Sequence, residues 1–288
     1  MYWISKTGWQ GAINDKLENI IMRHLITGSS GDVGLILYRL YKREGFDILP
    51  FDEKVDMEAG RILHLAAKSP PANPEDIIKS NVIYLRRIAD YAARNKINEL
   101  IFFSAVSVYG KQNKENVSEN DGIVDPDIYG VSKLLGEKLL RETSLNVLCL
   151  RLPAVLGLKN KTNFLSRCYL KLKNNEDIEL TNPVRLFNNF ISIENIFDFL
   201  KHVIFQNDFD VVNLASKKEW TILEIINFMK DNIHSSSRIS ILNKEDNFFN
   251  ISTDKAEGKY CFVPYTAKET VSRWIRQKDE HEKDVLLS

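Results

Sequence analysis

Cysteine is scarce: Cys149, Cys168 and Cys261 are the only three in 288 residues, and no Cys-x-x-Cys pair occurs. An odd, dispersed set argues against a disulfide-stapled scaffold and fits a reduced, cytoplasmic compartment. An excess of either charge is also missing. The 39 basic and 39 acidic side chains cancel, so the chain lacks the electrostatic footprint of a nucleic-acid binder, and runs such as Lys111 to Glu115 read as solvated loop. Long apolar runs are absent too. The best, Val147 to Leu158, is interrupted by Arg151 and Pro153 and is too short to span a bilayer, and no secretory signal is read, so no membrane partner is expected. The five histidines, at 24, 64, 202, 234 and 281, are scattered, which leaves no metal-ligand cluster. No internal repeat is visible.

What is there begins at Leu25. Leu-Ile-Thr-Gly-Ser-Ser-Gly-Asp-Val-Gly runs from an apolar strand, through Gly28, Gly31 and Gly34, into an apolar-periodic helix carrying Val33, Leu35, Ile36, Leu37 and Leu40. In a strand–turn–helix unit the first glycine permits the turn, the second lets backbone N–H groups approach a pyrophosphate, and the third lets helix and strand pack closely. The helix N-terminus then offers unpaired donors and a positive dipole end. The cofactor contacts expected here are Gly28, Ser30, Gly31, Asp32, Val33 and Gly34. Residues 1–21, with Trp3 and Trp9, precede this strand without a clear period and are expected to be an appended arm or a misplaced start before Met22.

Phe46 to Phe51 reads as the second strand. It ends at Asp52, near the distance of about 20 residues at which an acidic side chain accepts from the adenosine ribose and repels a 2′-phosphate. That favours NAD, with Lys54 close behind leaving NADP possible. Little chain separates Asp52 from the next strand, Ile62-Leu63-His64-Leu65-Ala66-Ala67, so the sheet is expected to be trimmed at this edge. Leu65, Ala66 and Ala67 leave room for the cofactor's adenosine and ribose, whereas His64 inside the strand is read as a core histidine. Glu75 to Asn95 has the period of one amphipathic helix. Ile101 to Val108 is a strand ending at Tyr109-Gly110, and Lys111 to Asp127 is a loop able to fold over a substrate or simply cross the surface.

The helix opening at Ile128 carries Tyr129 and Lys133 four residues apart, hence on one face. An ammonium beside a phenol favours the phenolate, and the expectation is a Tyr129 pKa lowered from about 10 toward neutrality. Tyr129 then suits a general acid or base for a carbonyl/alcohol couple, and Lys133 can also hold a nicotinamide ribose.

Taken together, Thr27-Gly28-x-x-Gly31-x-x-Gly34, His64-Leu65-Ala66-Ala67, Asn81, Ser104 to Gly110, Tyr129-x-x-x-Lys133 and Arg151-Leu152-Pro153 with Gly157 resemble the extended short-chain dehydrogenase/reductase family, in its NAD-dependent epimerase/dehydratase branch. Phe187 to Ile193 and Val212 to Ala215 look like that family's return strands, and the resemblance covers Met22 to Trp274. It implies an α/β fold: a Rossmann-type doubly wound parallel sheet over 22–157 with return strands near 188–214, and a small substrate-binding cap from 158–187 and 215–288. It also implies bound NAD(P), a nucleoside-diphosphate sugar as substrate, cofactor contacts that include Ser104 and Pro153, and often a homodimer through the helices after the family's fourth and fifth strands.

One departure matters. The family's hydroxyl beside the catalytic tyrosine falls at Ala105, which cannot donate, so Ser104, Ser107 or a water must substitute; Ser107 is chosen here, as catalytic and substrate contact. Dehydratases of the family carry an Asp-Glu pair where this chain has Val106 and Ser107, and relatives that epimerise next to the ketone use a Cys. A 4-keto reduction or 4-epimerisation remains. In the cap, Asn163 resembles the family's diphosphate-binding Asn and Arg185 is a candidate phosphate or base contact. Two other readings fit: a catalytically silent NAD(P)-binding regulator, and a reductase of a non-sugar carbonyl. Residues after Gln277 are charged and expected to fray.

Overall fold

The computed structural model describes residues 22–242 and 248–287; the arm expected over 1–21 lies outside the described residues. β1 (His24–Thr27) is buried along its whole length, and the glycine turn after it opens α1 (Asp32–Arg43). Asp32 in the first turn of α1 and Lys42 with Arg43 in the last are each at the dipole end that favours their charge. β2 (Ile48–Pro50) pairs with β1 on one side and β3 (Arg61–His64) pairs with β1 on the other, both parallel. The short link between β2 and β3 adds no strand beyond β2, so the sheet is trimmed at this edge as the sequence suggests.

The helix expected over 75–95 is present but not uniform. It comprises α2 (Pro74–Ile78), a π-helical turn (Lys79–Ile83) and α3 (Tyr84–Arg94). Asn73 begins it, its side-chain oxygen accepting from the Asp76 amide at 2.8 Å, with Pro74 where no amide hydrogen is needed. The extra residue per turn at 79–83 turns Asn81 inward, where it is 1 % exposed.

β4 (Glu99–Ala105) leads into a 3₁₀ turn, Val106–Tyr109. Next come β5 (Asn116–Val117), α4 (Ile128–Arg141), β6 (Asn146–Leu152), β7 (Ala154–Leu156), α5 (Phe164–Lys173), β8 (Ile178–Leu180), β9 (Phe190–Ser192), α6 (Ile193–His202) and β10 (Phe209–Asn213). The chain finishes with α7 (Ile222–Asn232), β11 (Ile239–Ile241), β12 (Asn250–Ile251), α8 (Asp254–Tyr260) and α9 (Ala267–Leu287). The main sheet is six-stranded and parallel, in the order β10-β6-β4-β3-β1-β2.

Successive β4 side chains serve opposite faces, as a doubly covered parallel sheet requires. Ile101 and Phe103 pack with Leu37 and Tyr41 of α1 and Phe197 of α6; Leu100 and Phe102 pack with Leu85 and Ile88 of α3 and Leu140 of α4. A separate core gathers Leu165, Tyr169 and Leu172 of α5, Ile225 and Met229 of α7, and Val271 and Trp274 of α9. The stretch 250–262 does not join that core. Ala256, Tyr260 and Phe262 pack into the sheet's α1/α6 side, and the Tyr260 hydroxyl donates to Asp210 of β10 at 2.7 Å. β12 pairs in parallel with β5, which fastens the 111–127 loop instead of leaving it an open crossing. α9 is helical to Leu287, and Lys278 Nζ donates to the Leu158 carbonyl at 2.6 Å.

Candidate active site

The turn after β1 is built by what it leaves out. Gly28 has φ +70°, and a Cβ there would lie 2.9 Å from the Ala66 amide nitrogen; a Cβ on Gly34 would lie 2.1 Å from the Gly28 carbonyl oxygen. Both contacts are too close for any side chain, so the first turn of α1 presses its amides directly onto the loop. The Thr27 hydroxyl accepts from the amides of Leu65 and Ala66 at 3.1 Å each and shares a hydrogen bond with His64 Nδ1 at 2.9 Å. His64 is fully buried, and burial, then the charge of Lys133, pull its pKa down to about 3. It is a neutral core histidine that ties the end of β1 to the end of β3.

Asp127 begins α4, its carboxylate accepting from the Gly130 amide at 2.7 Å. A Cβ on Gly130 would stand 2.3 Å from the Ser107 carbonyl oxygen, so glycine lets the first turn of α4 lie on the 3₁₀ turn, and Tyr129 and Ser107 come to line one pocket. Lys133 follows one turn later, 2 % exposed, its Nζ donating to the Phe103 carbonyl at 2.7 Å and standing 5.8 Å from the Tyr129 ring centroid. Asn81 braces the same helix: its amide donates to Ser132 Oγ and to the Lys68 carbonyl, both at 2.9 Å, and its oxygen accepts from the Lys68 amide at 2.8 Å.

The electrostatics correct one expectation. Tyr129 is not lowered toward neutrality; burial, then the Asp127 carboxylate, push it up to about 12. The reason is that Lys133 lies in the same dry interior, where burial pulls its own pKa down to about 7 and its hydrogen bond goes to a carbonyl instead of the phenol. Tyr129 is therefore a protonated phenol.

A pocket of about 340 Å³ brings together Val33, Leu65, Ala67, Ser104, Ser107, Tyr129, Lys133 and Pro153, with Ala105 in its wall. The two candidate hydroxyls differ in how they are engaged. Ser104 donates to Glu137 at 2.6 Å inside the core, whereas Ser107 Oγ is buried and has no partner among the described residues. Other expected residues lie elsewhere. The Asp32 carboxylate accepts from the amides of Leu158, Lys159 and Asn160, each at 3.0 Å, so its side chain holds a loop and only its backbone remains with the glycine turn, beside Ser30 and Gly31. Asp52 is exposed at the sheet edge and caps the Lys54 amide at 3.0 Å. Asn163 starts α5, its oxygen accepting from Ser166 N at 2.8 Å while its Nδ2 is buried without a partner. Arg185 stacks 4.4 Å over the Phe248 ring. Sequence reasoning missed Glu137, although the Tyr129-x-x-x-Lys133-x-x-x-Glu137 spacing puts all three on one helical face and carries the signal.

A parallel sheet with a glycine turn at its head, helices on both faces and a separate second core built by α5, α7 and α9 is the architecture of a Rossmann-type protein. The chain belongs to the NAD dependent epimerase/dehydratase family, whose sequence model matches residues 55–215. It is 24 % identical over 227 residues to the uncharacterized protein MJ1055 of Methanocaldococcus jannaschii, covering 73 % of this chain and 69 % of that one. Among solved structures it resembles the Bordetella bronchiseptica enzyme WbmG in complex with NAD and UDP: TM-score 0.75, 18 % identity, 91 % of this chain and 96 % of that one. It also resembles a Bacillus cereus UDP-glucuronic acid 4-epimerase in complex with NAD: TM-score 0.73, 18 % identity, 89 % and 99 % of the two chains. Among the described residues, no helix is long and apolar enough to cross a membrane.

Proposed function

We propose that this chain is an NAD-dependent oxidoreductase or epimerase acting at C4 of a nucleoside-diphosphate sugar, reducing a 4-ketone or inverting a 4-hydroxyl. The observation that carries it is the shared pocket: Tyr129, Lys133 and Ser107, whose buried hydroxyl has no partner among the described residues, line the same space as Val33, Leu65 and Ala67. The residues fit a dinucleotide, since the Gly28/Gly34 cradle has room only for backbone. In this reading the amides about Ser30, Gly31 and Val33 hold the pyrophosphate, Asp52 the adenosine ribose, Leu65 to Ala67 the adenosine side, and Lys133 and Pro153 the nicotinamide end. A bound dinucleotide would supply hydride to a 4-ketone, and for an inversion it would first take that hydride from C4, with the 4-hydroxyl proton leaving to Tyr129 as base, and then return it to the opposite face. Tyr129, protonated across the neutral range, gives its proton to the ketone oxygen, and Ser107 donates a second hydrogen bond there in place of the hydroxyl lacking at Ala105. Val106 and Ser107 offer no carboxylate pair for eliminating water.

For the substrate, Asn163 Nδ2 is a buried donor with no internal partner and suits a diphosphate oxygen; Arg185 is the candidate contact further out. Both similar solved structures hold NAD, and one also holds UDP. Ile83, Val131 and Leu135 stand 56 %, 39 % and 43 % exposed on neighbouring helical turns and form the face of a homodimer.

Ala105 favours a second reading, a silent dinucleotide-binding regulator. One experiment separates them: a panel of UDP-, dTDP- and GDP-4-keto sugars with NADH or NADPH, followed by nicotinamide absorbance and by product stereochemistry. Turnover by the wild type and its loss in Tyr129→Phe support the enzyme. Equal inactivity of both, with dinucleotide still bound, would establish the regulator.

A further inference from the structure

Behind Ser104 in the pocket wall lies a buried charge cluster. Glu137, 4 % exposed, receives Arg151 through two hydrogen bonds, Nε at 3.0 Å and Nη2 at 2.7 Å, and receives the Ser104 hydroxyl at 2.6 Å. Arg151, itself 6 % exposed, stacks 4.8 Å from the Tyr109 ring centroid, and the Tyr109 hydroxyl donates to Asn213 at 2.7 Å. Glu137 is also one helical turn beyond Lys133. The two side chains hold consecutive residues of β4, Lys133 the Phe103 carbonyl and Glu137 the Ser104 hydroxyl. α4 comes this close because Gly136 has no Cβ; one there would stand 2.9 Å from Phe102 Cζ and from Leu85 Cδ2.

The buried Glu137 carboxylate is thus paired with Arg151, and the buried Lys133 amine stands one helical turn before it on the same face of α4. A lone ammonium in such a place sheds its proton, because burial penalises the charged form. The titratable groups facing Lys133 are Tyr129 and Glu137 on α4, Cys149 on β6 and His64 on β3. Tyr129, Cys149 and His64 are neutral at neutral pH: burial pushes the phenol and the thiol up and the imidazole down. The Glu137 carboxylate, held by Arg151, opposes the effect of burial on Lys133.

We propose that Glu137 is a positioning residue for the Tyr129/Lys133 pair: fixed by Arg151 and Ser104, its carboxylate keeps the buried Lys133 ammonium charged and aimed at the pocket floor. The proposal rests on the reading of Tyr129 and Lys133 as the reacting pair. It also gives the Ser104 hydroxyl a use that withdraws it from the pocket and leaves Ser107 as the donor there.

The test follows Lys133 itself, so that it holds whether or not the substrate class is right. Protein labelled at lysine Cε is titrated by NMR, with the Lys133→Met spectrum identifying the resonance. In Glu137→Gln the Lys133 midpoint falls by a unit or more, a tenfold loss of the charged fraction on the alkaline side. Glu137→Asp falls less, and Ser104→Ala, which removes one hydrogen bond and no charge, least. On a 4-keto sugar nucleotide, the alkaline limb of the kcat/KM profile moves down by the same interval in Glu137→Gln, and activity returns at lower pH. A structural role would instead lower activity evenly across pH. A Lys133 midpoint unchanged in Glu137→Gln overturns the proposal; if that variant fails to fold, an unchanged midpoint in Glu137→Asp does so. A shifted midpoint with no turnover on any substrate supports the charge assignment and counts against the proposed reaction.

Discussion

Ser107→Ala makes a demanding prediction because it moves stability and activity in opposite directions. Ser107 Oγ is buried with no internal partner, and an unsatisfied buried hydroxyl costs about 1–3 kcal/mol of folding free energy. Removing it deletes one oxygen and breaks no hydrogen bond. The variant is therefore expected to be more stable by about 1 kcal/mol, which for a chain of this size raises Tm by about 2 °C. The same oxygen is the proposed donor to the ketone, and loss of one such donor lowers kcat on the order of a hundredfold, about 2.7 kcal/mol. Ala105→Ser, placed on the same pocket wall, should recover part of that loss in the Ser107→Ala background. Differential scanning calorimetry without added ligand and steady-state turnover of a 4-keto sugar nucleotide are the two readouts. A variant that loses stability would show that the hydroxyl is satisfied within the fold. Turnover equal to wild type would show that it does not face the reacting oxygen.

Gly34→Ala is expected to abolish dinucleotide binding in a fluorescence titration, because a Cβ 2.1 Å from the Gly28 carbonyl oxygen forces the turn apart; wild-type affinity would refute the cradle. His64 supplies a pH dependence. Its folded pKa, about 3, lies below its ordinary 6.5, so between those values the unfolded chain binds the extra proton and stability falls as pH drops through that window. Urea unfolding across pH 3 to 6.5 should show a shallower slope for His64→Gln than for the wild type, and equal slopes would exclude His64 as the source. The proposed homodimer predicts that the wild type sediments as a dimer and Leu135→Lys, on the exposed apolar face of α4, as a monomer without loss of helical circular dichroism; a monomeric wild type or an unchanged dimer in the variant would refute that face.

The sequence made most legible what depends on local pattern. Apolar runs and glycines located β1 and α1, the short link after Asp52 foretold an edge with no strand beyond β2, and the four-residue spacing put Tyr129 and Lys133 on one helical face. Features decided by distant partners were harder to see. The π-helical turn exists where Asn81 reaches both Lys68 and Ser132, and no periodicity within 75–95 encodes that. β5 acquires its partner from residues 250–251. The protonation of Tyr129 was misjudged because its neighbour Lys133 was treated as a solvated charge, when both share an interior that disfavours charge on either.

Asp32 shows how the glycine turn and the second core depend on each other. A carboxylate at the first position of α1 is favoured by the helix dipole, yet it stands at the end of the helix that would have to receive a pyrophosphate. Its two oxygens instead take the amides of Leu158, Lys159 and Asn160, three donors that disperse the charge away from the turn. Gly157 makes this possible, since a Cβ there would lie 2.1 Å from Asp32 Oδ2. The same short loop is gripped from its other side by α9: Trp274 Nε1 donates to the Gly157 carbonyl at 3.0 Å, and Lys278 Nζ donates to that of Leu158. Residues 157–160 are thus bonded at once to the helix that faces the proposed phosphates and to a helix whose apolar side builds the second core. A shift of that second core through α9 must therefore either carry the N-terminus of α1 with it or break charged hydrogen bonds to Asp32, which ties the order of the glycine turn to the position of that core.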